Sequence, residues 1–168
     1  MDYIAVIGAV FMDIKGVPFG KYDSRGTNLG KIGFHHGGVS RNIAENLGNI
    51  GLGVKFVSMA DKTPMGDEVL GRLQSAGVDT SCVARTDSGG IGMWLAVLDE
   101  TGDLAGSISQ PPDMTALSGL FDDKGDEIIR NSVGVALEID ISRDISEKVF
   151  RTAEKYGKKY MPWWGIWG

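Results

Sequence analysis

The chain has 168 residues, room for one domain with a small appendage, and at this length it buries about two thirds of its unfolded surface without a disulfide or metal. Apolar residues make up 42% and charged residues 23%, which excludes intrinsic disorder. Seventeen basic against 22 acidic residues leave a net charge of −5 with no basic block, so neither nucleic acid nor a membrane surface is an expected partner. No apolar run reaches the roughly 18 to 20 residues of a membrane helix. The Met1-Asp2-Tyr3 start lacks a basic region, so no cleaved signal peptide is expected. The single Cys82 excludes a disulfide framework or a cysteine zinc site and fits a reducing cytosol, so a cytoplasmic location is expected. The 25 glycines follow no period and mark turns and close backbone approaches.

Tyr3 to Val10 is a continuous apolar run, the pattern of a strand buried on both faces. Residues 15–36 alternate glycines with short apolar pieces and suit two strands of an exposed flap. Ser40 to Ile50, with apolar Ile43, Ala44, Leu47 and Ile50, predicts an amphipathic helix with Ser40 as N-cap. Val54 to Met59 is a second buried strand, and Gly66 to Ala76 a helix stopped by Gly77. Cys82 to Arg85 and Gly92 to Leu98 predict strands, the latter turning at Asp99 to Asp103. Ser107 to Leu117, with Pro111-Pro112, predicts a loop. Val133 to Ile139 is a third buried strand, and a helix follows from Ser142 or Asp144 to Lys155, closed by Gly157. This succession predicts an α/β fold with a doubly wound, mostly parallel sheet and helices on both faces. The flap segments are 15–36 and 92–110.

After that helix another buried parallel strand is due, yet the sequence runs Tyr160-Met161-Pro162-Trp163-Trp164-Gly165-Ile166-Trp167-Gly168. Tryptophan has a single codon, so a shifted frame is partly computable. Starting each codon one base earlier turns Trp163-Trp164 into Val then Gly and Met161-Pro162 into Ala, permitting a β-branched run of the kind the sheet requires. The expectation is that residues 1–168 are the N-terminal part of a longer protein, cut by a frameshift or a sequencing error.

Gly37-Gly38-Val39-Ser40-Arg41-Asn42 opens the first helix. Paired glycines let a ligand approach the backbone, and a helix N-terminus presents free N–H groups. The same residues also suit a plain helix entry with a solvent-facing Asn42. Asp13 stands just beyond the first strand, where open α/β sheets gather ligands, and a carboxylate there can accept from two vicinal hydroxyls. It could equally form a turn. His35-His36 lacks a partner at metal spacing, Cys82 reads as a small buried hydrophobe, and Asp122-Asp123 with Asp126-Glu127 reads as a solvated loop and helix N-terminus in preference to a cation site. A dinucleotide-binding fold is disfavoured, because Gly8-Ala9-Val10-Phe11-Met12-Asp13 lacks the G-x-G-x-x-G turn.

Ile7 to Asp13, the flap, Gly37 to Ala44 and Gly51 together resemble the start of the ribokinase-like (PfkB) carbohydrate kinases. Gly-Gly-x-x-Arg-Asn-Ile-Ala with Trp94 to Glu100 is most similar to the pseudouridine and nucleoside kinases. The resemblance covers nearly all of residues 3–159. Departures stand at Val39 and Ser40, where the family signature has a small Gly, Ala or Pro, and at Asp61, where it has Gly, followed by Lys62-Thr63.

The resemblance implies that Asp13 binds sugar hydroxyls, that Gly37 and Gly38 bring backbone amides to the sugar, and that Asn42 adds a side-chain contact. It matches Glu138 to a strand-end acid touching the sugar; a purely structural carboxylate is the alternative. Ile108 and Met93 are candidates for the lid side of the site. It further implies that the anion hole, the catalytic aspartate and the nucleotide pocket lie in a second half not present here. Full-length members use ATP and Mg2+; residues 1–168 are expected to bind neither and to be inactive, since phosphoryl transfer needs a base and positioned charge. Expected partners are a sugar or nucleoside and a second copy of the chain, because flaps of this family often pair. The alternative is a non-catalytic dimerising remnant with weak or no sugar binding.

Overall fold

The structure is a computed structural model, and it describes residues 2–139 and 141–163. In chain order the elements are β1 Ile4–Ile7, β2 Phe11–Pro18, β3 Gly30–Gly37, α1 Val39–Asn49, β4 Val54–Asp61, α2 Pro64–Ser75, β5 Asp79–Thr86, β6 Gly92–Leu98, β7 Leu104–Gln110, α3 Thr115–Asn131, β8 Gly134–Glu138, α4 Arg143–Lys155 and β9 Lys159–Trp163. Five strands form a wholly parallel sheet in the order β5-β4-β1-β8-β9. The β-branched and apolar runs of β1, β4 and β8 occupy its interior, because only a sheet covered on both faces can bury both sides of such strands.

Alternation within each strand divides the core in two. Ile7, Val57, Met59, Val135 and Leu137 face Leu117, Phe121 and Ile129 of α3 and Ile145, Val149 and Ala153 of α4. Val6, Val54, Phe56 and Ala136 face Ala44 of α1 and Val69, Leu70 and Leu73 of α2. The α/β fold with helices on both faces thus follows from the buried runs and the helical periodicity.

A second sheet of four strands, in the order β3-β2-β6-β7, occupies the segments read as a flap. β2/β3 and β6/β7 are antiparallel, and β2 and β6 join in parallel. The Asp99–Asp103 turn closes β6 onto β7, with Gly102 at φ 91° and the Asp99 N–H donating to the Asp103 carbonyl at 2.8 Å.

Several local readings need correction. The first strand stops at Ile7, not Val10: Gly8 to Val10 turn the chain out of one sheet, and Phe11 begins the other. Ser40 is not the N-cap of α1; Gly38 is, at φ 92°, and Ser40 lies inside the first turn. Residues 107–110 extend β7 instead of forming a loop, and after Pro111-Pro112 and Asp113 the chain enters α3 at Thr115 with Met114 as N-cap. Leu117, Phe121 and Ile128 recur at helical spacing there, but Gly119 and Gly125 dilute the signal; Gly125 lies against the Phe121 ring. Asp122, Asp123, Asp126 and Glu127 stand in the middle of α3, not in a loop or at a helix N-terminus, and Asp122 and Asp126 point away from the core to Lys148 and Lys155 of α4. The parallel strand due after α4 is present as far as Trp163, pairing with β8, and Pro162 is tolerated because β9 is an edge strand. Residues 164–168 lie outside the described residues.

Candidate functional site

The first connection, Gly8 to Val10, leaves the carboxyl end of β1, the place where open parallel sheets collect ligands. Asp13 follows on β2, with His35 of β3 and Trp94 of β6 directly beside it, and Ser109 of β7 next to Trp94. His35, Asp13, Trp94 and Ser109 therefore form one row across all four flap strands, on one face. Lys15, on the same face, places its ammonium 5.9 Å from the Trp94 ring centroid.

Gly37 makes room for Asp13. A Cβ at position 37 would lie 2.5 Å from Asp13 Oδ1, so any larger residue would displace the carboxylate. Gly38 is required for a different reason: its φ of 92° disfavours an L side chain, and a Cβ would fall 2.7 Å from the Ala9 carbonyl oxygen.

Arg41 ties this corner together, although it is 97% buried. Its Nε donates to the Gly37 carbonyl at 3.2 Å and its Nη2 to the His36 carbonyl at 2.7 Å. Nη2 also donates to Asn42 Oδ1, and Nη1 to Glu45 Oε2. Glu45 Oε1 in turn accepts from Arg72 Nε at 2.6 Å. Burial lowers the Arg41 pKa from its ordinary value, and the Glu45 charge opposes that shift. Burial pushes the Glu45 carboxyl up, but the Arg72 hydrogen bond and the Arg41 charge outweigh it and hold the carboxyl below its ordinary value.

Glu138 ends β8 and is 6% exposed. Its Oε2 accepts from the Ala9 N–H at 3.1 Å and from the Ser40 hydroxyl at 2.8 Å. The Ser40 oxygen also stands 3.1 Å from the Ile7 carbonyl. Glu138 contributes to the wall of a cavity of about 320 Å³ with Ala9, Phe11, Ser109, Pro111, Pro112, Met114 and Ile141. Phe11 and Ser109 lie on the flap face that carries Asp13.

Of the five residues singled out in the sequence, Asp13 and Gly37 are in direct contact, and Gly37 and Asn42 are both bound to Arg41. Gly38 caps the helix between them. Glu138 meets the same helix through Ser40, on the cavity side. Met93 and Ile108 do not face Asp13. Met93 pairs with Met12 and Ile108 with Leu95, so strand alternation puts both on the opposite face, and Trp94 and Ser109 take the places expected for them. Arg41 and Ser40 were also not foreseen as organising residues. The signal available was a charge at position 41, three before Ala44 on the buried stripe of α1.

The departures at positions 61 to 63 have local explanations. Asp61 Oδ1 accepts from the Gly90 N–H at 2.7 Å and from Thr86 Oγ1 at 2.9 Å, which holds the turn before β6. Thr63 caps α2 through the Gly66 N–H, and Lys62 pairs with Asp87. Among the described residues no three His, Cys, Asp or Glu side chains gather as a metal site needs, and no helix is long and apolar enough to cross a membrane.

A mostly parallel α/β sheet with a four-stranded flap over its carboxyl ends is the architecture of the ribokinase-like kinases. Residues 1–158 match the pfkB family of carbohydrate kinases, and the chain belongs to that family. It is 37% identical over 175 aligned positions to the guanosine-inosine kinase of Exiguobacterium acetylicum, covering all of this chain and 54% of that protein. It is 26% identical over 143 positions to the pseudouridine kinase of Escherichia coli K12, covering 85% of this chain and 46% of that protein. The chain thus spans about half the length of the curated relatives it matches. Among solved structures, the ribokinase of Giardia lamblia superposes with a TM-score of 0.84 at 18% identity, over 100% of this chain and 56% of its own. The Arabidopsis thaliana ribokinase complexed with ribose and ATP gives 0.79 at 19% identity, over 96% and 52%. At those identities the likeness is one of fold.

Proposed function

We propose that this chain is the acceptor-binding portion of an ATP-dependent nucleoside or sugar kinase, and that it holds a nucleoside without phosphorylating it. The observation that carries the reading is the Asp13 carboxylate seated against Gly37, in a row with Trp94 and Ser109, above the carboxyl ends of the parallel sheet. An ionised carboxylate offers only acceptors, so it suits a pair of sugar hydroxyls. Gly37 and Gly38 open the backbone beside it, Asn42 stands one turn along, and Glu138 borders the adjoining cavity. The apolar wall of Phe11, Pro111, Pro112 and Met114 suits a base more than bulk water and favours a nucleoside over a free pentose. The 37% identity to a guanosine-inosine kinase supports a purine nucleoside. ATP and Mg2+ are assigned to the further length that the relatives possess. The reading places the protein in the cytoplasm.

The chain also forms a homodimer in this reading. Phe34, Ile14, Leu95 and Ile108 make a second row across the flap, on the face away from Asp13, and Phe34 and Ile108 are 62% and 69% exposed. Exposed Phe34, Leu95 and Ile108, flanking an Ile14 that packs partly against the core, favour association. The same row supports the alternative of a non-catalytic dimerising remnant with weak or no sugar binding.

Titration calorimetry with guanosine, inosine, pseudouridine, ribose and ATP, beside an assay for ADP, tests these readings. Weak nucleoside binding that Asp13→Ala abolishes, with no ADP formed, is the expected outcome. Binding unchanged by Asp13→Ala, measurable ATP affinity, or turnover would overturn the first reading. Absence of all binding by a folded dimer would favour the second.

A further inference from the structure

Arg41 makes a contact that decides what kind of group Asn42 can present. A guanidinium has five N–H donors and no acceptor, so the atom of the Asn42 carboxamide that faces it must be the oxygen. The structure has that arrangement, with Nη2 donating to Asn42 Oδ1. Three of the four other donors of Arg41 are committed to the carbonyls of His36 and Gly37 and to Glu45, and Glu45 is itself anchored by Arg72. The guanidinium therefore cannot swing away without breaking contacts to β3 and to α1 together. Asn42 is otherwise exposed, so its NH2 group is turned outward.

We propose that Arg41 is a positioning residue: it locks the Asn42 carboxamide with its oxygen against the guanidinium and its NH2 outward, so that the group Asn42 presents to a ligand is a donor. The same guanidinium fixes the Gly37 carbonyl, and with it the backbone beside Asp13. The corner then offers an acceptor at Asp13 and a donor at Asn42. A neighbouring pair of hydroxyls, which both gives and accepts hydrogens, is complementary to that pair; a ligand offering hydrogens alone is not. The inference rests on the acceptor-site reading for its ligand, but the locking of Asn42 is a property of the free protein.

The test begins without ligand. In the isotope-labelled chain, the side-chain amide pair of Asn42, assigned through Asn42→Asp, is followed by heteronuclear NOE with exposed Asn49 as internal reference. Asn42 is expected to be as ordered as the helix backbone in the wild type and to fall to the level of Asn49 in Arg41→Lys, because an ammonium keeps the charge but, with three donors on a single nitrogen, cannot span four separated acceptors as the planar fork does. If Arg41→Lys does not fold, Glu45→Gln removes the anchoring charge and is expected to loosen Asn42 in the same direction. An Asn42 amide as mobile as Asn49 in the wild type, or unmoved by a folded variant, would overturn the proposal. Guanosine then serves as probe. It is expected to shift the Asn42 amide resonances in the wild type and to bind about tenfold or more weakly in Arg41→Lys, a loss of about 1.4 kcal/mol. An ordered Asn42 with no guanosine binding would sink the acceptor-site reading and leave the positioning role standing. Equal guanosine affinity in wild type and a loosened variant would overturn the role in binding.

Discussion

The Ser40 hydroxyl donates to the Glu138 carboxylate at 2.8 Å, joining the first turn of α1 to the end of β8 across 98 positions of sequence. Ser40 is 1% exposed, and the same carboxylate oxygen takes the Ala9 N–H, so two donors on separate elements converge on one buried acceptor. Ser40→Ala leaves Glu138 with one of these two donors. A hydrogen bond to a charged group contributes about 1.5 to 3 kcal/mol, and a loss of that size is expected in urea denaturation. A variant as stable as the wild type would show that the bond carries no net stability.

Gly8 is the reason this contact can form. A Cβ there would lie 2.0 Å from Ser40 Oγ and 2.5 Å from Glu138 Oε2. Gly8→Ala should therefore push Ser40 and Glu138 apart and cost about 1 to 3 kcal/mol through overpacking. In a Gly8→Ala, Ser40→Ala double-mutant cycle the two effects should be non-additive, since both act on the same bond. Simple additivity would place the Gly8 effect elsewhere.

The Glu45 clamp predicts an acid limb of stability. Its carboxyl is held below the ordinary 4.5 in the folded chain, because Arg72 and Arg41 outweigh the opposing effect of burial. A depressed folded value means the stabilisation is full above pH 4.5 and is lost as pH falls through the folded value. Urea midpoints should be level above that pH and decline below it, and Glu45→Gln should flatten part of the decline. Asp79, held low against the opposing effect of burial by hydrogen bonds from Lys55 and Ser81, accounts for a further part in the same direction. A Glu45→Gln chain with an unchanged acid limb would remove Glu45 from the account.

Association through the flap is testable at its most exposed residues. Light scattering of the wild type at micromolar concentration should report a dimer, and Phe34→Glu combined with Ile108→Lys should report a monomer. Both side chains are largely exposed in the single chain, so folding stability should change by less than about 0.5 kcal/mol per site. A monomeric wild type would refute the dimer.

The parallel sheet was legible in the sequence because strands buried on both faces leave unbroken apolar runs, as in Ile4–Ile7, Val54–Asp61 and Gly134–Glu138. Helix α3 was not, since two glycines and the neighbouring prolines mask a periodicity that only packing against α4 and the sheet makes worthwhile. Motif and chain position singled out Asp13, Gly37, Gly38 and Asn42, and the family resemblance added Glu138. They did not order those residues in space. Which face of the flap meets Asp13 depends on the β2/β6 register, where a slip of one residue would exchange Trp94 for Met93. The burial of Arg41 and the bond from Ser40 to Glu138 likewise follow from long-range pairing. Local sequence sets what each segment tends to form; the contacts that saturate a buried charge come from segments far along the chain, and only the folded arrangement decides which of them arrive.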